Sequence, residues 1–433
     1  MTRHVLVGMG VAGISAAATL RVLDHSADII LVSDDPYAYY SRPGLAYYLT
    51  NEIPEKRLYP FAEPDWKELN VRFVKGHATG LNNRTHLLEI EKSAPLKYDR
   101  LLLATGSTSM SLNVPGVNLK GVVKLDDLQD ARNILSLARH DKTAVVVGGG
   151  VVSLELVEGL VAHGVKVHYF LRGDRYWANV LDEPESKIIE NRLTHDGVSL
   201  HCKTEIAEIL GRRGRVTGVR TNKGEIVRCD IVATCIGVKA RMELALSAGL
   251  ATERGILANE YLQTSDPDIY AAGDAAQVFD PQTGRSVVDS LWTPGRLQGK
   301  TAAMNMAGQK QVYQRKVAIN VLRLAGVMLS IIGSVGSGRD EDLISVARGS
   351  SETWLQLPNT IAMESGNEFN HLRLMVGERT LLGGLVLGDQ KLSLPLQEMV
   401  NEQTDITQIR SQLLHPSVPL GQVLMDFWSN ARN

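Results

Sequence analysis

The chain has 433 residues, 44% hydrophobic and 22% charged, with a formal net charge of −2 and a sequence pI of about 6.6. That length exceeds what one compact core usually spans and predicts two or three domains. The near-neutral balance excludes the basic field of a protein built to hold nucleic acid or an anionic membrane surface. The N-terminus runs straight into the apolar His4–Val7, so no signal peptide is predicted. The most apolar long stretch, 317–335, contains Asn320 and Arg323 and falls short of the roughly 18 apolar residues of a membrane span. A cytoplasmic protein with no transmembrane segment is expected. Cys202, Cys229 and Cys235 form no CxxC or CxxxxC pair, which fits a reducing compartment and offers no disulfide framework and no metal site. Cys235 lies in the apolar run 231–236 and reads as a buried structural thiol.

In chain order, His4–Val7 is a strand, Gly8-Met9-Gly10-Val11-Ala12-Gly13 a turn, Ile14–Leu23 a helix and Ile29–Val32 a strand. That βαβ unit implies a doubly wound parallel sheet. Tyr98–Leu103 is an apolar strand ending in Ala104-Thr105-Gly106-Ser107, and Pro115-Gly116 marks a crossing into the next segment. The design then repeats: Ala144–Val147 is a strand, Gly148-Gly149-Gly150 a turn, Val151–His163 a helix and Val165–Leu171 a strand. Strands ending in Gly237 and in Gly273-Asp274 follow. From about Tyr313 the character changes, with short β-like runs at 372–376 and 380–387 and a polar helical tail over 405–432.

The first turn has the spacing a dinucleotide requires. Gly8 permits the tight turn, Gly10 lets a pyrophosphate approach the backbone, and Gly13 packs helix against strand. The N–H groups of Val11 and Ala12 then face the diphosphate together with the helix dipole. An acid to bind the ribose is expected about twenty residues beyond, where Ser33 is followed by Asp34; either side chain is a candidate. In the second turn Gly148, Gly150, Val151 and Val152 are the corresponding candidates, and Ser153 replaces the third glycine with another small residue. Its partner strand ends in Leu171-Arg172-Gly173-Asp174-Arg175 without a carboxylate at the ribose position. Arg172 or Arg175 is placed to pair with a 2′-phosphate, which favours NADPH over NADH, unless both are ordinary solvated loop charges.

These motifs, closing with Thr264-Ser265-Asp266-Pro267-Asp268-Ile269-Tyr270-Ala271-Ala272-Gly273-Asp274, are ordered as in the FAD-dependent pyridine nucleotide-disulfide oxidoreductase superfamily, which the whole chain resembles. Within it, Tyr40-Ser41-Arg42-Pro43-Gly44-Leu45 and Trp292-Thr293-Pro294-Gly295-Arg296 are similar to the branch of rubredoxin reductases, ferredoxin reductases and the flavin part of assimilatory nitrite reductase. The resemblance implies an α/β fold of two Rossmann-like domains plus a C-terminal α+β domain. It assigns 1–112 and 246–312 to FAD, 113–245 to NAD(P) and 313–433 to an interface domain, which allows a homodimer or partner contact. It makes Asp274 the FAD ribitol carboxylate and Ala104, Thr105 and Gly106 a backbone wall. Arg42, Pro43, Ala78, Gly237, Gly273, Trp292 and Pro294 join the cofactor contacts. A helix starting near Pro294 lends its N-terminal dipole to the flavin.

The stretch 37–56 has no cysteine, so thiol–disulfide chemistry at the flavin is not expected. The implied activity is hydride transfer from reduced nicotinamide to FAD, with electrons passing to an external acceptor, a small iron–sulfur protein or partner subunit. Arg42 and Glu155 are the expected charges beside the reacting rings; the alternatives are a pyrophosphate contact for Arg42, and Glu158 in place of Glu155. Two other functions stay open: a reductase for a diffusible acceptor such as quinone or oxygen, and a flavin-binding structural or regulatory subunit whose nicotinamide site has decayed. His163 and His168 read as ordinary surface or core histidines without a metal-spaced partner, Asp126 and Asp127 as helix caps, and Trp428 as a docking residue. Tyr37, Tyr39 and Tyr40 read as the flavin edge or as loop packing.

Overall fold

The computed structural model describes residues 2–281, 283–335, 361–366, 370–415 and 417–431. They form two compact units. One comprises Met1–Tyr48, Glu52–Ser109 and Val238–Arg315, the other Leu49–Asn51, Met110–Gly237 and Lys316–Asn433.

The first unit is built on a five-stranded sheet in the order Ile269–Ala271, Arg100–Leu103, Arg3–Val7, Asp28–Ser33, Arg72–Lys75, with every pairing parallel. Its three central strands are apolar through most of their buried interior because helices and loops cover both faces. Val5, Leu6, Ile30, Leu101 and Leu102 have no accessible surface, and each contributes about 1.5–3 kcal/mol through burial. The helix Val11–Leu23 carries small residues on the side facing the helix Trp292–Met306. A Cβ on Gly299 would stand 2.2 Å from the Ala12 carbonyl oxygen, so the two helices cross almost in backbone contact.

The second unit repeats this plan in a parallel sheet ordered Ser199–Cys202, Lys166–Leu171, Thr143–Val147, Ile231–Thr234, Val122–Val123. An antiparallel ribbon over Ile206–Arg212, Arg215–Thr221 and Ile226–Val227 closes the core around Val145, Phe170 and Val232. The C-terminal part is an antiparallel five-stranded sheet, in the order Ile319–Leu324, Val327–Gly333, Leu381–Leu387, His371–Val376, Ile361–Gly366. The expected polar tail is two helices, Thr407–Leu413 and Leu420–Asn430, packed with Ser393–Asn401 over one face of that sheet. The apolar stretch after Val317 is the hairpin of the first two strands, and among the described residues no helix is long and apolar enough to cross a membrane.

The fold is therefore α/β, with two Rossmann-like halves and a C-terminal sheet. The two glycine turns are wired alike. Gly8 N–H donates to Val32 O at 2.8 Å and Gly148 N–H to Phe170 O at 3.3 Å. Ala104 N–H donates to Val7 O, and Cys235 N–H to Val147 O, both at 2.8 Å. Cys235 thus occupies in one half the place of Ala104 in the other.

Candidate functional site

Gly8 adopts φ +110°, and a Cβ there would lie 2.1 Å from the Ala104 carbonyl oxygen; on Gly13 it would lie 2.0 Å from the oxygen of Gly8. These two glycines are required by backbone approaching backbone. Gly10 is different: a Cβ there meets nothing within 4 Å, so the space before it is open to a ligand. Gly10 is the N-cap of Val11–Leu23 and supplies no side-chain cap, which leaves the first-turn N–H groups, those of Val11 and Ala12 among them, available to an anion.

At the carboxyl ends of Asp28–Ser33 and Arg72–Lys75 lies a largely apolar cavity of about 300 Å³, lined by Met9, Ser33, Asp35, Tyr37, Trp66 and Lys75 among others. Open α/β sheets take their ligands there. Of the two ribose candidates, Ser33 lines the cavity; Asp34 is turned to His77, 2.8 Å from its Nδ1. Asp35, which the spacing did not select, lines the cavity and stands 3.7 Å from Arg42. Arg42 starts a short 3₁₀ turn with Pro43, and its guanidinium lies 5.4 Å from the Tyr40 ring centre.

Asp274 sits in the 3₁₀ turn Gly273–Ala275. One of its carboxylate oxygens accepts the Ser107 hydroxyl at 2.8 Å, which fixes the group's plane. Gly273 N–H donates to the buried Gln298 Oε1 at 2.8 Å, tying this turn to the helix Trp292–Met306. That helix begins at Trp292, two residues before Pro294. Burial raises the Tyr39 hydroxyl above its ordinary pKa against a hydrogen bond from Trp292. Thr105 donates to Arg241 O at 2.8 Å, and Gly106 O accepts from Arg241 N–H at 2.9 Å, so the Ala104–Gly106 wall is clamped. Ala78 opens the strand Ala78–Asn82 opposite Ile90. An open Gly10, an uncapped helix start, a polar-rimmed cavity and a plane-fixed carboxylate fit the diphosphate, adenosine and ribitol of FAD.

In the second unit Gly150 is the N-cap of Val151–Ala162, again without a side-chain cap, and a Cβ on Gly149 would meet nothing within 4 Å. Gly148, at φ +148°, would put a Cβ 2.3 Å from Cys235 O. Ser153 is buried; its hydroxyl contacts Gly150 O and the Tyr169 hydroxyl, each at 2.7 Å. The two arginines separate. Arg175 folds back onto its own loop, donating to Ala178 O at 3.2 Å and Leu181 O at 3.4 Å and pairing with Asp174. Arg172 is exposed beyond the end of Lys166–Leu171. Gly237 closes the neighbouring strand region at φ +122°. Glu155 and Glu158 both lie half-buried on Val151–Ala162.

A family model described as pyridine nucleotide-disulphide oxidoreductase matches residues 2–307. The chain belongs to that family. It is 32% identical over 308 residues to the ferredoxin–NAD(+) reductase component of a 3-phenylpropionate/cinnamic acid dioxygenase from Photorhabdus laumondii, covering 70% of this chain and 77% of that one. It is 27% identical over 410 residues to the NAD(P)H nitrite reductase of Bacillus subtilis, where 93% of this chain spans only 48% of the longer protein. A solved ferredoxin reductase from Rhodopseudomonas palustris superposes with a TM-score of 0.85 at 23% identity, over 98% of this chain and all of the other, which shows the shared fold.

The family's name refers to a disulphide, but the three cysteines of this chain are free thiols and all lie in the second unit. Burial pushes the Cys229 thiol up to about 12. Three further expectations change or sharpen. His168 does have an imidazole partner, Nδ1 lying 3.0 Å from His201 Nε2. Trp428 is partly buried against the core of its own domain and donates to Glu398 at 2.8 Å. Asp127 caps the helix Leu128–Leu137, accepting from Asp130 N–H.

One group among the described residues, Asp182, Glu185 and His371, brings ligand atoms within 4.8 Å of one another. Arg373 takes both Glu185 oxygens at 3.0 Å and donates to Val180 and Val335 carbonyls. A guanidinium in that position repels a cation, and the cluster reads as a buried ionic joint between strand His371–Val376 and helix Glu183–His195.

Proposed function

We propose that the chain is an FAD-dependent NAD(P)H oxidoreductase passing electrons from reduced nicotinamide through flavin to an external acceptor, a small iron–sulfur protein or a partner subunit. The observation that carries this reading is the pair of glycine turns with the same hydrogen-bond wiring, each opening an uncapped helix, with only the first accompanied by the plane-fixed Asp274. One turn with a ribitol carboxylate suits FAD; one without suits a nicotinamide dinucleotide. Bound flavin supplies the chemistry of accepting a hydride and releasing its electrons.

The protein's residues bind and orient. The N–H groups after Gly10 and Gly150 hold the two diphosphates, Asp274 holds ribitol hydroxyls, and Ser33 and Asp35 line the adenosine end. Arg42 supplies positive charge for the reduced ring, and Glu155 is the carboxylate that orients the exchange. With Arg175 engaged by its own loop, Arg172 is the residue for a 2′-phosphate, and NADPH is the preferred donor. The ferredoxin–NAD(+) reductase relative supports a protein acceptor, as does the absence of thiols from the first unit's described residues.

Anaerobic stopped-flow mixing tests the proposal. The purified yellow protein should bleach rapidly with NADPH and more slowly with NADH at equal concentration. It should reoxidise slowly in air and faster with a small iron–sulfur protein. A colourless protein that takes up no FAD, or flavin bleached by neither nucleotide, overturns the reading; rapid oxidation by quinone or oxygen alone assigns a diffusible acceptor instead.

A further inference from the structure

Of the three fingerprint glycines, the second turn lacks one that the first has, and the structure shows what fills the difference. Where the first half has Gly13, the second has Ser153, whose hydroxyl lies 2.7 Å from Gly150 O and 2.7 Å from the Tyr169 hydroxyl. Tyr176 donates to the same Gly150 oxygen at 3.4 Å, and Leu154 N–H donates to it at 3.3 Å. Ser153, Tyr169 and Tyr176 are all buried. Tyr176 is anchored on both sides, its N–H donating to Glu190 at 2.8 Å and its carbonyl accepting from Ser186 at 2.7 Å. Trp177 next to it holds φ +49° while fully packed; a bulky residue persists in that region only when its surroundings fix it.

We propose that Ser153, Tyr169 and Tyr176 are positioning residues for the nicotinamide dinucleotide, a buried hydroxyl chain that pins the Gly150 carbonyl and so aims the Val151 N–H at the diphosphate. The inference rests on the dinucleotide reading of this turn and deepens it. A trans peptide is planar with its N–H opposed to its C=O. Fixing the Gly150 oxygen from the protein side therefore fixes the Val151 N–H on the ligand side. The carbonyl can only accept, so Ser153 gives its single proton to Gly150 O and accepts from Tyr169. Donors on the carbonyl also polarise the peptide, which strengthens the opposite N–H. Burial holds both phenols well above their ordinary pKa, so they stay neutral donors throughout the working range. A glycine at 153 would pack as in the fingerprint but leave the carbonyl to its helix bond and the longer bond from Tyr176.

The test uses the full flavoprotein and the variants Ser153→Ala, Tyr169→Phe and Tyr176→Phe. Each is titrated calorimetrically with ADP-ribose, which has the diphosphate but no nicotinamide. Each is also reduced anaerobically by NADPH, by NADH, and by an N-benzyl dihydronicotinamide, which lacks the diphosphate. The Kd for ADP-ribose should rise roughly 5- to 20-fold in Ser153→Ala and Tyr169→Phe, the size of one lost buried hydrogen bond, and less in Tyr176→Phe. The double variant Ser153→Ala/Tyr169→Phe should be no worse than the singles, since both break the same chain. The limiting flavin reduction rate, FAD content and rate with the small donor should stay at wild-type values. Unchanged ADP-ribose affinity in the variants overturns this inference alone, as does an equal loss with the small donor, which means general damage. A wild-type protein that binds no ADP-ribose and is bleached by neither nucleotide overturns the dinucleotide reading and this inference with it.

Discussion

Ser107 and Asp274 stand 167 positions apart and meet at 2.8 Å. In the ribitol role proposed for Asp274, a carboxylate gains from having one oxygen already satisfied, because its plane is then fixed before the ligand arrives. Ser107→Ala should therefore weaken FAD by roughly 10- to 150-fold, the range for one charged hydrogen bond, without altering the fold; flavin release measured by fluorescence on dilution checks it. Asp130 makes the stability of the fold depend on pH. Burial, and after it the Asp127 carboxylate, push Asp130 up to about 6. A carboxyl that holds its proton more tightly folded than unfolded stabilises the fold below its ordinary pKa of about 4, and that contribution is lost as pH rises through the folded value. Asp130→Asn keeps an oxygen for the Asp126 N–H, which it receives at 2.9 Å, and removes the charge. The variant should match wild type in thermal stability near pH 4 and outlast it increasingly up to pH 7. A gap that does not widen with pH removes burial as the cause.

At the scale of elements, the two glycine turns allow the two cofactor sites to be separated. A Cβ at Gly8 would strike Ala104 O and one at Gly148 would strike Cys235 O, both at φ values that disfavour any side chain. Gly8→Ala should yield a colourless protein, whereas Gly148→Ala should keep its FAD and lose dinucleotide affinity. Absorbance of the purified variants and ADP-ribose titration distinguish them, and identical losses in both would break the assignment of one turn to each cofactor. The βαβ units themselves were legible from the sequence because their signals are local: an apolar run, glycines at fixed spacing, an Ala- or Leu-rich helix, another apolar run. What supports the second of those turns, and the turn Gly273–Ala275, was not. Ser107, Gln298 and Tyr176 act across 167, 25 and 26 positions respectively, and nothing in their neighbourhoods announces the partner. The spacing rule likewise reached Ser33 and Asp34 but passed over Asp35, because which of three successive residues faces the cavity depends on how the chain leaves the strand. Arg172 and Arg175 looked equivalent for the same reason, until the loop carbonyls of Ala178 and Leu181 claimed one of them.

For the whole molecule, the distribution of sulfur constrains the route electrons take. A member of this family that used a flavin-linked dithiol would need two cysteines beside the FAD turn, yet Cys202, Cys229 and Cys235 all belong to the unit carrying the second turn. Cys229 is buried with its thiol pushed up to about 12, so almost none of it is thiolate at neutral pH. Cys235 is buried where the parallel half has Ala104 and serves the turn through its backbone. Cys202 is half-exposed, and burial raises its thiol too. The native protein should therefore react slowly with maleimide at one site, Cys202, and at all three once unfolded. Prior reduction by NADPH should not change that count, since no disulfide opens. Alkylated enzyme should retain its flavin reduction rate and its rate with an iron–sulfur acceptor. If reduction exposes new reactive thiols, or alkylation stops turnover while flavin still bleaches, a sulfur relay lies on the path and direct transfer from the flavin is wrong.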